Sequence, residues 1–240
     1  MTAHPAVVGV DPLPEPWVPG SGPKLWIAGV EAYAPRAAAL RELLDDDELK
    51  RYRTFRTEAA RVRHLVAHVA LRRLLGAYLD RDPAAVSFLR EPCPGCAAPH
   101  GRPALRGQGP HFSLSHAGDL VLLGFADTPV GVDVEALLEP GLESDLRRAL
   151  HPAESDELSR LPLRARPAAL GRCWVRKEAY LKGIGIGLGG NPAACYVGTG
   201  EAPADLPGWR LADIPVRQGY TAACAVRTAD PRGHAASASA

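Results

Sequence analysis

The sequence predicts an α+β protein, and three observations support this fold class. Residues 59–79 carry apolar side chains at close to a 3.6-residue period, which is typical of an amphipathic helix. Residues 111–115, 120–126 and 130–135 have the pattern of three short strands at the spacing of an antiparallel meander. A helical pattern and closing strands follow. This order is consistent with two similar α/β halves in a pseudo-twofold arrangement that meet near residue 127.

In chain order, residues 1–22 are rich in proline and glycine and are expected to be extended or disordered. The N-terminal half is predicted to span residues 23–126 and the C-terminal half residues 127–228, followed by a disordered tail at 229–240. The other predicted elements of the first half are a strand at 24–30, a helix at 37–49, a strand at 86–89 and a loop at 91–109. Those of the second half are helices at 142–161 and 165–182 and strands at 194–199, 209–214 and 220–226.

Composition excludes several classes of function. The chain has 240 residues, of which 46% are hydrophobic and 23% charged, as in soluble globular proteins. Its net charge of +1 gives no general affinity for nucleic acid. It has no membrane-length apolar run and no signal-peptide core, so we expect a cytoplasmic protein. The five cysteines are an odd number, which argues against a disulfide framework.

The loop at 91–109 contains Cys93, Cys96 and His100 at the spacing of a metal-binding knuckle. These side chains could supply three ligands of a structural zinc ion, and His111 is the obvious candidate for a fourth. A plain turn is the alternative interpretation.

Two carboxylates, Asp133 and Glu135, interrupt the apolar strand pattern at 130–135. Side chains alternate along a strand, so these two lie on one face. Neighbouring carboxylates repel each other unless a cation intervenes, and hard oxygen ligands at this spacing suit Mg²⁺. The alternative is a strand with a solvated polar face.

The predicted helix at 165–182 places Trp174, Glu178 and Lys182 on one stripe, four residues apart. Only four of the 28 cationic side chains are lysine, and two of them are Lys177 and Lys182. An ordinary exposed Glu–Lys pair is the alternative. The glycines that follow close a helix rather than open one, so they do not form a dinucleotide-binding fingerprint.

Four separated motifs coincide in this chain: GRP at 101–103, FSLSH at 112–116, GVDVE at 131–135 and WVRKEAYLK at 174–182. Together they resemble the 4′-phosphopantetheinyl transferase superfamily, in particular its pseudo-dimeric, Sfp-type branch. The resemblance spans roughly residues 25–226. It implies an enzyme that moves the phosphopantetheine arm of coenzyme A to a serine of an apo acyl or peptidyl carrier protein and releases adenosine 3′,5′-bisphosphate.

The resemblance also implies roles for individual residues. Asp133, Glu135 and Glu178 would hold Mg²⁺, and Glu178 would act as general base, as metal ligand or as both. Coenzyme A would be bound by Arg51, Arg102, Ser115, His116, Lys177 and Lys182. The catalytic set would be Asp133, His116, Glu178 and Lys182. The sequence departs from the family pattern at Glu48, where some relatives have lysine, and at His64, where a hydroxyl is common.

A pseudo-symmetric chain builds its cleft internally, which predicts a monomer. We expect no nucleic-acid or membrane partner. Two other functions remain open at this stage: a catalytically silent module that binds coenzyme A or a nucleotide, and a metal-dependent phosphohydrolase that uses the same acids with water as nucleophile.

Overall fold

The computed structural model describes residues 4–137, 146 and 149–228, with the backbone alone at residue 188. These residues form five α-helices and nine β-strands, which confirms the α+β class. The helices are α1 (Val30–Ala39), α2 (Asp46–Thr54), α3 (Glu58–Leu79), α4 (Pro152–Arg160) and α5 (Arg166–Ile184). The strands are β1 (Ala6–Val7), β2 (Lys24–Gly29), β3 (Phe88–Arg90), β4 (Pro103–Leu105), β5 (His111–Ala117), β6 (Leu120–Ala126), β7 (Val130–Ala136), β8 (Trp209–Asp213) and β9 (Tyr220–Arg227).

The first sheet has the order β1-β2-β6-β5, and every residue of β6 is buried. Leu123 and Phe125 on one face of β6 pack in the core beneath α1 and α3, while Leu122 and Ala126 on the other face pack against the second sheet. Fully burying one leucine or phenylalanine contributes about 1.5 to 3 kcal/mol. The uninterrupted apolar sequence of β6 therefore reflects a strand covered on both sides.

The second sheet has the order β7-β9-β8 and is antiparallel. Val132 and Val134 of β7 pack in the core shared with the first sheet, and Ala223 and Ala225 of β9 pack in the core that also contains α5 residues. The sheets are thus packed against each other, with helices on their outer faces. The predicted meander was wrong at its third strand, because β7 pairs with β9 rather than with β6.

Two other predicted elements were wrong. Instead of one helix at 37–49, α1 ends at Ala39 and α2 begins after Asp45, whose side chain accepts from the Glu48 amide in a capping box. Instead of a strand at 194–199, the chain forms a 3₁₀ turn at Pro192–Ala194 followed by irregular structure. The helix expected to stop at Gly183 runs to Ile184 and is capped by Gly185 at φ 86°.

The N-terminal segment, predicted to be extended or disordered up to residue 22, is described from residue 4. From residue 4 the N-terminal segment is mostly extended; β1 pairs with β2, and Trp17 Nε1 donates to Asp127 Oδ1 at 2.8 Å. Most of the first part of the helix predicted at 142–161 lies outside the described residues. The whole tail from residue 229 also lies outside them. No described helix has both the length and the apolar character needed to span a membrane.

Candidate active site

The acids of β7 reach the site because the strand lies directly against α5. Residues 131, 133 and 135 share the face toward the helix, while Val132 and Val134 face the other sheet. A Cβ atom placed on Gly131 would come within 1.9 Å of the Ala179 carbonyl oxygen. Only glycine permits this approach, which brings Asp133 and Glu135 next to the side chains of α5.

Helix α5 contributes Glu178 and Lys182, one turn apart. The Lys182 ammonium lies 2.5 Å from Asp133 Oδ1 and donates to Ser115 Oγ at 2.9 Å. The Ser115 hydroxyl in turn donates to Asp133 Oδ1 at 2.8 Å. The structure therefore brings Ser115, Asp133 and Lys182 into direct contact, with Glu178 one turn before Lys182 on the same helix.

Two carboxylate oxygens at this site are buried without a partner in the described part of the chain. They are Asp133 Oδ2 and Glu178 Oε1, on side chains from residues only 2% and 5% exposed. Such groups normally find a hydrogen bond, because an unsatisfied buried acceptor costs roughly 1 to 3 kcal/mol. The two oxygens are therefore free to accept a proton or to ligate a cation.

The electrostatics show that the three acids are close neighbours. Burial, followed by repulsion from Asp133, raises the pKa of Glu178. Burial and the negative charge of Asp133 raise the pKa of Glu135 to about 7, and Glu178 contributes in the same direction. The nearby Lys182 ammonium lowers both pKa values but does not cancel these effects.

The hard oxygen donors fit a small divalent cation, although the side chains are not arranged as a closed metal site. Among the described residues, the group of three potential ligands whose atoms all lie within 4.8 Å of one another is Cys93, Cys96 and His100. Asp133, Glu135 and Glu178 do not form such a group. Shared coordination by all three would require changes of side-chain rotamer, although Asp133 Oδ2 is already without a partner among the described residues.

Positive groups surround His116 at the end of β5. Its side chain is exposed, yet protein atoms remove part of its hydration and lower its pKa. The charges of Arg63 and Lys182, and of His68, lower the pKa further. Arg63 Nε is buried without a partner among the described residues. This arrangement favours a polyanion beside the acids.

Comparisons with known proteins agree with this geometry. Residues 129–224, which contain β7 and α5, match the model of the 4′-phosphopantetheinyl transferase superfamily. A phosphopantetheinyl transferase of Thraustochytrium sp. is 33% identical over 215 residues, covering 80% of this chain and 72% of the relative. The 4′-phosphopantetheinyl transferase HetI of Nostoc sp. is 31% identical over 211 residues, covering 84% of this chain and 86% of the relative. The chain belongs to the 4′-phosphopantetheinyl transferase superfamily.

A third relative, a 4′-phosphopantetheinyl transferase of Bacillus subtilis, is 26% identical over 128 residues, covering 52% of this chain and 53% of its own. Membership confirms the resemblance found from the motifs, the fold class and the enzyme class, a transferase of the phosphopantetheine group. It does not test the role of any single residue, so each residue must be considered from its contacts in this transferase.

The prediction that Lys177 binds the nucleotide is contradicted by the structure. Lys177 is fully buried, and its ammonium lies 2.7 Å from Glu154 Oε2. It also donates to the carbonyl oxygens of Pro192 at 2.9 Å and Cys195 at 2.5 Å. With all three ammonium protons directed at protein oxygens, Lys177 is part of the scaffold behind α5.

Two arginines predicted to bind coenzyme A differ in their contacts. Arg51 is exposed on α2, with its guanidinium 5.4 Å from the Phe55 ring centroid, and can reach a ligand. Arg102 is partly buried: Nη1 donates to the Gly183 carbonyl at 2.9 Å, and Nε lies 2.8 Å from Glu91 Oε2. Arg102 therefore holds its loop against the C-terminal end of α5. Phosphate binding by either arginine stays a prediction.

The sequence did not single out Arg63 or His68 of α3 as neighbours of His116. Their signal was present, since Arg63, His64 and His68 interrupt the apolar pattern of that helix. The periodicity of the helix could not show which of these side chains lies near His116. That depends on contacts between helices, such as the pairing of His68 Nδ1 with Glu48 Oε1 at 2.7 Å. Burial lowers the pKa of His64 to about 4, so this ring is neutral at pH 7.

The departure at Glu48 has a structural reason. This carboxylate is buried and lies 2.6 Å from Arg72 Nε, and its Oε2 also accepts from the Asp45 amide at 3.0 Å. Arg72 is itself fully buried. Glu48 thus fixes α2 to α3 and makes no contribution to a phosphate pocket.

Proposed function

We propose that this transferase moves the 4′-phosphopantetheine arm from coenzyme A to a serine of an apo acyl or peptidyl carrier protein, with Mg²⁺ as cofactor. The observation that carries the proposal is the pair of unpartnered buried oxygens on Asp133 and Glu178, which lie beside the Lys182 ammonium. Acceptors without partners next to cations suit a reaction in which a proton leaves a nucleophile and a diphosphate is held in place.

In the proposed reaction the carrier serine oxygen attacks the phosphorus atom that bears the pantetheine arm. A phosphodiester bond forms to the serine, and the bond to the bridging diphosphate oxygen breaks. Adenosine 3′,5′-bisphosphate leaves with the electron pair of that bond. The serine proton passes to Glu178, directly or through water, and burial, the largest cause of the raised pKa of this carboxyl, favours its taking up a proton.

Asp133, Glu135 and Glu178 would hold the magnesium ion. When bound, such an ion neutralises charge on the diphosphate and on the leaving group. The fit rests on the donor chemistry, because Mg²⁺ prefers carboxylate oxygens together with substrate phosphate oxygens. It also rests on the raised pKa values of Glu135 and Glu178, because a cation among these acids would relieve their repulsion.

His116, Lys182 and Arg63 would bind the phosphates. The Lys182 ammonium, 28% exposed at the side chain, can turn from Asp133 toward a more negative partner. The Nε–H of Arg63 has no partner in the described residues, and Arg51 is exposed on α2. Guanidinium groups match phosphate geometry well, so the adenosine 3′-phosphate is the expected partner of these arginines.

The two-half division at residues 126 and 127 is part of this proposal. The strands of the first sheet all precede that boundary and those of the second sheet all follow it. Ser115 and His116 come from the first half, while Asp133, Glu178 and Lys182 come from the second. Because one chain supplies the site residues of both halves, we propose a monomer.

Intact-mass spectrometry of an apo carrier protein tests the proposal. The carrier is incubated with coenzyme A and the transferase, with Mg²⁺ or with excess chelator. We expect the carrier to gain the mass of the phosphopantetheine arm only when Mg²⁺ is present. No mass change under any condition would favour a silent binding module, and cleaved coenzyme A beside unmodified carrier would favour a phosphohydrolase. Transfer that is insensitive to chelator would contradict the magnesium assignment.

A further inference from the structure

A second group of potential ligands lies outside the active site, in the loop between β3 and β4. Ligand atoms of Cys93, Cys96 and His100 all lie within 4.8 Å of one another, and Cys96 Sγ is 3.0 Å from His100 Nε2. We propose that these three side chains bind a zinc ion. The proposal stands independently of the transfer reaction, because the group shares no residue with the acids of the active site.

The loop backbone is already shaped around the first sulfur. The Ala97 amide donates to the Cys93 carbonyl at 2.7 Å, and the Cys93 amide donates to the Ala98 carbonyl at 2.8 Å. The amides of Gly95 and Cys96 point at the Cys93 sulfur. Ala97 takes the left-handed conformation at φ 59°, which is rare for a residue with a side chain. Hydrogen bonds within the loop therefore hold the turn that carries both thiols.

The ligand chemistry selects the metal. Two thiolates and an imidazole are soft and borderline ligands, which suit Zn²⁺ and disfavour Mg²⁺ or Ca²⁺. Cys93 and Cys96 are not joined by a disulfide, and a disulfide would leave His100 without a role. His111 does not belong to the group, so the earlier suggestion of it as fourth ligand is not supported. Water would complete the tetrahedron.

The position of the loop indicates what the zinc ion would do. Gly95 lies against Ile186, since a Cβ on the glycine would be 3.2 Å from Ile186 Cδ1. Two residues after His100, Arg102 donates to the Gly183 carbonyl at the end of α5. A zinc ion would thus fix the loop of the first half against the helix that carries Glu178 and Lys182.

The test is the metal content of the full-length chain, expressed with zinc in the medium and purified without chelator. We expect about one zinc ion per chain in the wild type and at least about a tenfold lower content in Cys93→Ser/Cys96→Ser. Cys224→Ala is the matched control, because it removes a buried thiol of the sheet core and should keep the zinc. Cobalt-exchanged wild type should show thiolate-to-metal charge-transfer absorption that the double variant lacks.

His100→Gln keeps the proposal testable if the double variant fails to fold. Its zinc affinity in chelator competition should fall by at least about tenfold. In the zinc-free protein, trypsin should cut faster after Arg106, which Gly107 follows, while transfer should still require Mg²⁺. Wild type without zinc before and after zinc loading, undiminished zinc in the variants, or a Cys93–Cys96 disulfide in reduced preparations would each overturn the proposal. None of these results would bear on the transfer reaction.

Discussion

Two acid–lysine pairs lie on different sides of α5 and differ in how completely they are satisfied. Behind the helix, both oxygens of Glu154 have partners: Oε2 meets Lys177 at 2.7 Å and the His151 amide at 2.9 Å, and Oε1 accepts from the Val197 amide at 2.8 Å. At the site, Asp133 Oδ1 is bound by Lys182 and Ser115, but Oδ2 has no partner in the described residues.

The difference shows how a buried ion pair can serve either stability or chemistry. The Glu154–Lys177 pair is fully buried with its hydrogen bonds complete, so removing one partner leaves an uncompensated charge. The Asp133–Lys182 pair retains an unused acceptor and a partly exposed ammonium. It can therefore exchange partners when a substrate arrives. Substitutions on the two sides should fail in different ways.

The largest expected effect is on the chemistry side. Glu178→Gln keeps the size of the side chain but removes the proton acceptor and the negative charge, so transfer should fall by about 10²- to 10⁴-fold. Single-turnover transfer, followed by intact mass, measures the loss, and calorimetry should show coenzyme A binding largely retained. Glu58→Gln, an exposed glutamate paired with Arg61, is the matched control and should behave as wild type. Undiminished turnover in Glu178→Gln would remove its assigned role.

A smaller effect is expected on the stability side. Lys177→Met leaves Glu154 buried and unpaired, so the free energy of unfolding should fall by about 3 to 5 kcal/mol. Lys182→Met is the matched comparison, and it should lose transfer with less destabilisation, because that lysine is partly exposed and Asp133 keeps its bond from Ser115. Urea denaturation of both variants measures the difference. Equal losses of stability would contradict the division between the two pairs.

The smallest effect is a pH dependence that arises at Glu135. Its pKa rises from 4.5 to about 7 on folding, so the folded state holds a proton that the unfolded state releases. The stability from this proton is fully present below pH 4.5 and is lost as pH rises through about 7. Because Glu135 is only partly buried, solvent screening keeps this contribution small. In magnesium-free buffer, wild type should lose stability relative to Glu135→Gln across this window, and parallel curves would refute the shift.

Local sequence rules predicted how the acids are placed along their own strand and helix. Alternation along β7 put Asp133 and Glu135 on one face, and a four-residue spacing put Lys182 one turn beyond Glu178. The capping box at Asp45 and Glu48 was also a local signal, but it was missed. A search for caps would have divided the predicted helix at 37–49 correctly.

Other features depended on contacts between distant segments. The partner of Lys177 comes from α4, and no spacing rule connects residue 154 to residue 177. The segment at 194–199 has a strand-like sequence, but the carbonyls of Pro192 and Cys195 turn toward the buried ammonium. The buried Lys177 ammonium needs these carbonyl acceptors, and this requirement outweighs the strand preference of the local sequence.

The contact at Gly131 has a wider consequence. Main-chain atoms alone define the gap between the strand and the helix at this point, because the Ala179 carbonyl occupies the space where a side chain would stand. Any residue larger than glycine at position 131 would therefore push the strand away from the helix and change the separation of Asp133 from Glu178.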